Sequence, residues 1–192
     1  MQVVPFWRVC RVLANRPRLR MFALVSRRPG MRVGDLARAM KLSGPATSQY
    51  LRALEACGFV VGRRIRKFVT YELAGRDGNP AAKALVRSLI LRLADKGSID
   101  PVFKLATAFA NSARIEVFGK LTTGPKTLPE LKSLTGFPRS TLSRHIQKLR
   151  NRGFVNRQAD GKAYEYATPV DHFGRALAQA AKHHIAAPGS RC

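Results

Sequence analysis

The chain has 192 residues, 35 of them basic and 11 acidic, which gives a formal net charge of +24. A hydrophobic content of 45% is enough for a folded core and excludes a disordered basic tail, while the short apolar runs exclude a membrane-spanning helix. So large a positive charge predicts a polyanionic partner, either nucleic acid or an anionic membrane surface.

The cellular compartment is predicted from the N-terminus and the cysteines. No charged segment precedes an apolar stretch at the N-terminus, so we expect no secretory signal. Three cysteines, Cys10, Cys57 and Cys192, are too few and too scattered for a disulfide framework. We therefore expect a reducing, cytoplasmic location, associated with the nucleoid if the partner is DNA.

The chain repeats itself once. At an offset of 96 residues the pattern around Pro5 returns around Pro101, and after the loss of one residue the offset becomes 95. Matched pairs along the two halves are Asn15 and Asn111, Arg18 and Arg114, Gly58 and Gly153, Lys67 and Lys162, and Tyr71 and Tyr166. We therefore predict two copies of one small domain, at residues 1–96 and 97–192.

Four helices open each copy. Apolar residues at helical spacing predict them at about 5–14, 17–26, 33–40 and 45–56 in the first copy, and at 101–110, 112–122, 128–134 and 139–151 in the second. Gly44 and Gly136 are predicted to lie in the turn before the fourth helix. Gly58 and Gly153 are predicted to close that helix with a positive φ.

A hairpin and a last helix complete each copy. Strands are predicted at residues 59–61 and 68–71, and at 154–156 and 163–166, with the second hairpin turning at Asp160-Gly161. The last helices, at about 80–95 and 169–185, each begin near a proline, Pro80 and Pro169, which suits a first helical turn. The predicted fold class is mainly α with small β-hairpins.

Two short helices joined by a tight turn and followed by a basic hairpin describe a winged helix-turn-helix. Residues 138–155 resemble the recognition-helix region of ArsR-type transcriptional repressors, and residues 46–60 resemble it more loosely. The resemblance covers roughly residues 15–72 and 111–167. It implies sequence-specific DNA binding, usually by a symmetric homodimer.

The fourth helix of each copy is the predicted recognition helix, apolar inside and polar toward the major groove. The residues predicted to face DNA are Arg139, Ser140, Thr141, Ser143, Arg144 and Lys148 in the second copy, and Pro45, Ala46, Ser48, Gln49 and Arg52 in the first. Arg144 suits guanine and its counterpart Gln49 suits adenine, so the copies would prefer different bases. Phosphate contact or plain surface is the alternative for both.

The hairpins are the predicted wings, which would reach phosphates or the minor groove. Their basic residues are Arg63, Arg64, Arg66 and Lys67 in the first copy, and Arg157 and Lys162 in the second. A solvated charged turn is the alternative reading, and four basic residues within five positions favour DNA contact for the first wing. His145, on the second recognition helix, either bonds a phosphate or packs in the interior.

No cofactor or metal is expected. Some ArsR-type repressors bind metal through an aspartate and histidines on the last helix, and the candidates here are Asp171, His172, His183 and His184. Their spacing departs from that pattern, and the first copy has no histidine. The third helices also lack the cysteines of the family's thiolate site. Cys10 and Cys57 are expected to be small buried hydrophobes, with a redox switch as the alternative.

The leading functional prediction is a sequence-specific, double-stranded DNA-binding transcriptional regulator that acts as a repressor. The alternative is an architectural protein that coats DNA or docks protein partners. No nucleophile–base pair, carboxylate pair or phosphate loop is present, so we expect no enzyme, and the lack of a basic amphipathic helix argues against a membrane partner. Apolar first helices and the apolar residues 85–93 predict a monomeric, intramolecular pseudo-dimer rather than a homodimer.

Overall fold

The computed structural model describes residues 4–74, 80–96 and 98–186, without the side chains of residues 80–83 and 95–96. Cys192 lies outside these residues. Backbone contacts divide the chain into two compact units, one formed by Val12–Phe103 and the other by Pro5–Arg11 together with the residues from Lys104 onward. The N-terminal part of the first helix is therefore grouped with the second unit.

The described residues form a mainly helical fold in which one order of elements occurs twice. The elements of the first copy are α1 (Phe6–Leu13), α2 (Arg16–Arg27), β1 (Met31–Arg32), α3 (Val33–Met40), α4 (Gly44–Ala56), β2 (Val60–Ile65), β3 (Phe68–Leu73) and α5 (Pro80–Lys96). Those of the second copy are α6 (Asp100–Phe109), α7 (Ser112–Thr122), β4 (Lys126–Thr127), α8 (Leu128–Thr135), α9 (Arg139–Arg150), β5 (Val155–Arg157), β6 (Ala163–Tyr166) and α10 (His172–Ala186). The predicted fold class and the two helix-turn-helix units are confirmed.

Each hairpin belongs to a three-stranded antiparallel sheet, in the orders β1-β3-β2 and β4-β6-β5. The outer strands β1 and β4 were not predicted, because two residues are too short to show an alternating pattern. They tie the returning strand of each wing to the chain that leads into the third helix. The returning strand of each wing is therefore paired on both sides.

The strand register corrects the predicted repeat. Met31 pairs with Tyr71, and its counterpart Lys126 pairs with Tyr164. Tyr71 therefore corresponds to Tyr164, and its predicted match with Tyr166 is wrong, as is every match on the returning strand at an offset of 95. The physical reason is a second loss of residues, at the tip of the second wing, where no core contact restrains the length of the hairpin. The first wing is two residues longer than the second.

Side chains and positive φ angles set the helix ends. Gly58 and Gly153 have φ of 73° and 76°, which confirms their predicted role after the recognition helices. Helix α10 begins at His172 rather than near Pro169. Asp171 caps the helix, because its carboxylate accepts hydrogen bonds from the N–H groups of residues 173 and 174 (2.8 and 3.1 Å). The predicted start at Pro169 is therefore wrong.

The turn before the recognition helix differs between the copies. Gly136 has φ of 72° and ends α8, as predicted. In the first copy the left-handed residue is Lys41, with φ of 54°, and Gly44 is instead the first residue of α4. Ser43 caps that helix by accepting a hydrogen bond from the Ala46 N–H (3.3 Å). The predicted turn position of Gly44 is wrong because Ser43 starts the helix earlier.

The two copies have different hydrophobic centres. In the first, Phe22 and Phe59 meet edge to face with ring centroids 6.0 Å apart. In the second, Phe109, Phe118 and Phe154 form a mutual cluster, with centroids 4.6 to 6.4 Å apart. All five rings are fully buried. Edge-to-face packing of this kind ties α2, α6 and α7 to Phe59 and Phe154, which directly follow the two recognition helices and so help to position them.

Candidate nucleic-acid interface

The recognition helix of the second copy, α9, has one apolar and one polar face. Leu142, Ile146 and Leu149 are buried at intervals of three and four residues. The opposite face exposes Arg139, Ser140, Ser143 and Arg144, with Thr141 and Lys148 half-buried at its border. The structure therefore gathers all six predicted residues on the surface of one helix.

The recognition helix of the first copy, α4, is built in the same way. Leu51 and Leu54 are buried, and Thr47 is buried with its hydroxyl donating to the Ser43 carbonyl oxygen (2.9 Å). Its surface residues are Pro45, Gln49 and Arg52, which are exposed, and Ala46 and Ser48, which are half-buried. This face carries only one positive charge.

A cluster of cations surrounds α9. The Arg114 guanidinium, at the start of α7, donates to the carbonyl oxygens of residues 108 and 107 (2.7 and 3.0 Å), and its burial, together with the charge of Arg144, lowers its pKa. Burial and the charges of Arg152 and Arg114 likewise lower the pKa of Lys148. Among the described residues none of these four cations pairs with an acid. The cluster is a concentrated positive field next to the helix surface.

His145 belongs to the interior. Only 5% of the residue is exposed, and its Nδ1 atom has no hydrogen-bond partner among the described residues. Burial is the main cause of a lowered pKa, and the charges of Arg114 and Arg144 add to it. The ring is therefore a neutral packing group, and the phosphate contact considered for it does not fit this position.

The first wing combines charge with exposed apolar groups. Its predicted cations, Arg63, Arg64, Arg66 and Lys67, are all exposed. Arg63 is paired with Glu72 on the neighbouring strand. At the wing's base the Gly62 N–H donates to Glu55 Oε1 (2.7 Å) near the end of α4, which links the wing to the recognition helix.

Sequence reasoning missed the apolar residues of this wing. Ile65 is 56% exposed, Phe68 37% and Val69 40%. The Arg32 guanidinium lies 4.0 Å from the centroid of the Phe68 ring, and the Lys67 ammonium lies 5.5 Å from it. The alternation of apolar and basic residues through the turn was visible in the sequence, but alone it could not show that both kinds of side chain face solvent.

The second wing is shorter and less charged. Arg157 and Lys162 are exposed, and the Arg157 guanidinium lies 5.9 Å from the Tyr164 ring centroid. The Lys162 N–H donates to Asp160 Oδ1 (2.9 Å), and Gly161 turns the chain with φ of 68°. An open cleft of about 740 Å³, lined mainly by polar side chains, separates this wing from the end of α9.

The histidines of the last helix are distributed over separate contacts. Asp171 is the helix cap, the His184 ring lies 6.2 Å from that of Phe6, and His183 contacts Gln179 (3.0 Å). In the part of the chain that the structure describes, no three histidine, cysteine, aspartate or glutamate side chains come close enough together to hold a metal ion.

Both described cysteines, Cys10 and Cys57, are buried and unbridged. Burial raises the pKa of the Cys57 thiol to about 11, so the thiol is protonated at neutral pH. A protonated, enclosed thiol is a poor nucleophile, which fits the prediction of a small hydrophobe better than that of a redox switch.

Comparison with known proteins identifies both copies. The family model for bacterial regulatory proteins of the arsR family matches residues 16–61, and a helix-turn-helix domain model matches residues 109–158. No curated protein matches the chain. Across residues 4–74, 80–96 and 98–186, no helix has the length and apolar character needed to cross a bilayer. The chain is therefore a DNA-binding transcription regulator with two tandem winged helix-turn-helix domains, the first of them an ArsR-family domain.

Proposed function

We propose that the chain is a sequence-specific repressor that places α4 and α9 in the major groove of double-stranded DNA and its wings on the backbone or in the minor groove. The observation that carries the proposal is the pair of recognition helices, each apolar inside and polar outside, and each followed by a wing with exposed cations. Such a helix fits a groove about 12 Å wide.

The two helices are proposed to read different bases. Arg144 is exposed and is one of the four clustered cations, and its guanidinium suits the O6 and N7 acceptors of guanine. Gln49 occupies the matching position of α4, is also exposed, and suits the N6 and N7 atoms of adenine. A DNA site whose two halves have different sequences need not be palindromic.

We also propose that one chain, with domains at residues 1–96 and 97–192, forms an intramolecular pseudo-dimer in the cytoplasm, on nucleoid DNA. Support comes from the grouping of Pro5–Arg11 with the second unit and of the first turn of α6 with the first unit. In that first turn, Asp100 accepts a hydrogen bond from Arg16 Nε (2.7 Å). Each compact unit therefore includes a short segment of the other predicted domain.

Selection of bound duplexes from a random pool tests sequence-specific binding. We expect the intact chain to enrich one non-palindromic sequence, and Arg144→Ala to relax the choice of base at one position of it. Arg87→Ala, which removes an exposed arginine of α5 outside the helix-turn-helix, is the matched control and should select the same sequence. Uniform coating of DNA with no enriched sequence would contradict the repressor and favour the architectural alternative.

Sedimentation at micromolar concentration tests the pseudo-dimer. A single species near the chain mass of 21.2 kDa is expected, with one chain bound to each duplex. A tight dimer of twice that mass, in the free protein or on DNA, would contradict the one-chain arrangement.

A further inference from the structure

The first wing extends further than the second. The last pair that both hairpins share is residue 63 with 70 in the first wing and residue 158 with 163 in the second. Beyond this pair the tip of the first wing has six residues and the tip of the second has four. The extra ladder pair is Ile65 with Phe68, which lengthens the wing by about one residue rise, roughly 3.3 Å.

The added pair is apolar and points to one side of the wing. Residues directly opposite each other in an antiparallel ladder share a face, so Ile65 and Phe68 form one patch at the end of the hairpin. Ile65 is the more exposed of the two, while the Phe68 ring is covered by the Arg32 guanidinium at 4.0 Å. Phe68 therefore lies directly opposite Ile65 and is partly covered by Arg32, which leaves Ile65 as the more exposed apolar side chain of the pair.

Cations surround this apolar patch. Arg66 and Lys67 form the two-residue turn between Ile65 and Phe68, and Arg64 is on the opposite face. Arg66 has φ of 55°, in the left-handed region that favours glycine. Arg66 therefore keeps a positive charge at the extreme tip, at a position where glycine would be less strained.

We propose that the first wing enters the minor groove and inserts Ile65 between two base pairs, which kinks the duplex, while the tip cations hold the flanking phosphates. Proteins that bind the minor groove bend DNA with apolar wedges of this kind. The kink would fall at a flexible pyrimidine–purine step, so the wing would select sequence without bonding any base edge. This inference rests on the proposed DNA-binding function and adds a specificity-determining residue to it.

Charge and shape favour DNA over an anionic membrane as the occupant. The tip residues 64–69 carry three cations and no acid, which complements phosphates on both sides of a groove about 6 Å wide. Membrane binding would instead need a broad apolar face, as on an amphipathic helix, and the apolar patch at the tip is a single ladder pair.

Energy transfer between dyes on the two ends of the selected duplex, cut to about 20–30 base pairs, measures the kink. The wild-type chain should bend it by about 20–90°. Ile65→Ala should abolish most of the bend and leave the salt dependence of binding unchanged, because every cation stays. Ile65→Leu, which keeps an apolar wedge, should keep the bend.

Val170→Ala is the matched control, because Val170 is 93% exposed and lies outside both wings. It should bend DNA as the wild type does. An Ile65→Ala protein that bends the duplex normally would overturn the wedge while leaving the proposed function intact. A chain that selects no duplex would overturn both. Ile65-dependent binding to phosphatidylcholine–phosphatidylserine vesicles, with the bound duplex left straight, would overturn the wedge in favour of a membrane contact.

Discussion

The two copies hold their positive charge in different places. In the first, the wing carries four exposed cations, and the exposed face of α4 carries a single cation, Arg52. In the second, the wing tip balances Lys162 against Asp160, and the cations gather around α9. Two domains with the same fold therefore concentrate their cations differently, one on the hairpin and one around the recognition helix. A repeat that keeps its core can divide backbone contact and base contact between its copies.

The largest expected effect comes from removing the charge of the first wing. Alanine at Arg63, Arg64, Arg66 and Lys67 together should weaken binding to every duplex on the order of 10²–10³-fold, with a salt slope lower by about 0.9 for each lost phosphate contact. The matched variant of the second wing, with alanine at Arg157 and Lys162, should lose far less. Salt titrations of both proteins check this, and equal losses would break the comparison.

Arg144→Ala should have the next largest effect, and one of a different kind. Loss of a bidentate contact to guanine costs about 1–3 kcal/mol of discrimination against the wrong base, with other positions unaffected. Competition between duplexes that differ at single base pairs measures this, and Gln49→Ala should act on a different position. A uniform loss across all competitors would reduce Arg144 to a phosphate contact.

Arg66→Gly should separate folding from binding. A non-glycine residue in the left-handed region destabilises the folded state by roughly 1–2 kcal/mol. Glycine removes this strain, but it offsets part of the gain because it loses more conformational entropy on folding, so the variant should unfold at an equal or higher urea concentration. Its salt slope on DNA should nevertheless fall by about 1. In the second wing, Gly161→Ala should instead destabilise the fold by roughly 1 kcal/mol, because it places a side chain at a positive φ. If Arg66→Gly bound DNA normally, the strained arginine would have no part in binding.

The smallest effect expected is a pH dependence confined to the second copy. Because the folded state depresses the pKa of His145, the unfolded chain takes up a proton that the buried ring does not, and stability is lost as the pH falls below the ordinary histidine value of 6.5. His184 contributes with the same sign. Urea unfolding at pH 7.5 and 5.5 should show a smaller pH difference in His145→Gln than in the wild type. His183→Gln, which changes an exposed ring, is the control, and an equal change in both variants would contradict the account.

Most of the fold could be predicted from the sequence because the buried apolar residues recur at the spacing of a helix or a strand. The buried leucines of α4 and α9, and the glycines that end these helices, placed both recognition helices within one residue of their observed bounds. The sequence pattern did not predict features that depend on a single side-chain contact or on an element too short to show a period. The Asp171 cap moved the start of α10, and two-residue strands such as β1 have no pattern to detect.

The candidate surface could be predicted only in part. Exposed arginines on a helix face follow from the apolar stripe opposite them, but the burial of His145 depends on α7 packing against α9, which one helix alone does not reveal. The length of the wing was hidden for the same reason. The strand registers of the two sheets show that the second hairpin is shorter, and so that Ile65 lies at the end of the longer one.

A hydroxyl-radical footprint of the selected duplex tests most directly the claim that the two copies engage unlike parts of one asymmetric site. With one chain bound to each duplex, Arg64→Ala should lose protection at one end of the footprint and Arg144→Ala at the other. Loss of protection at the same positions in both variants, or two chains on one duplex, would contradict it.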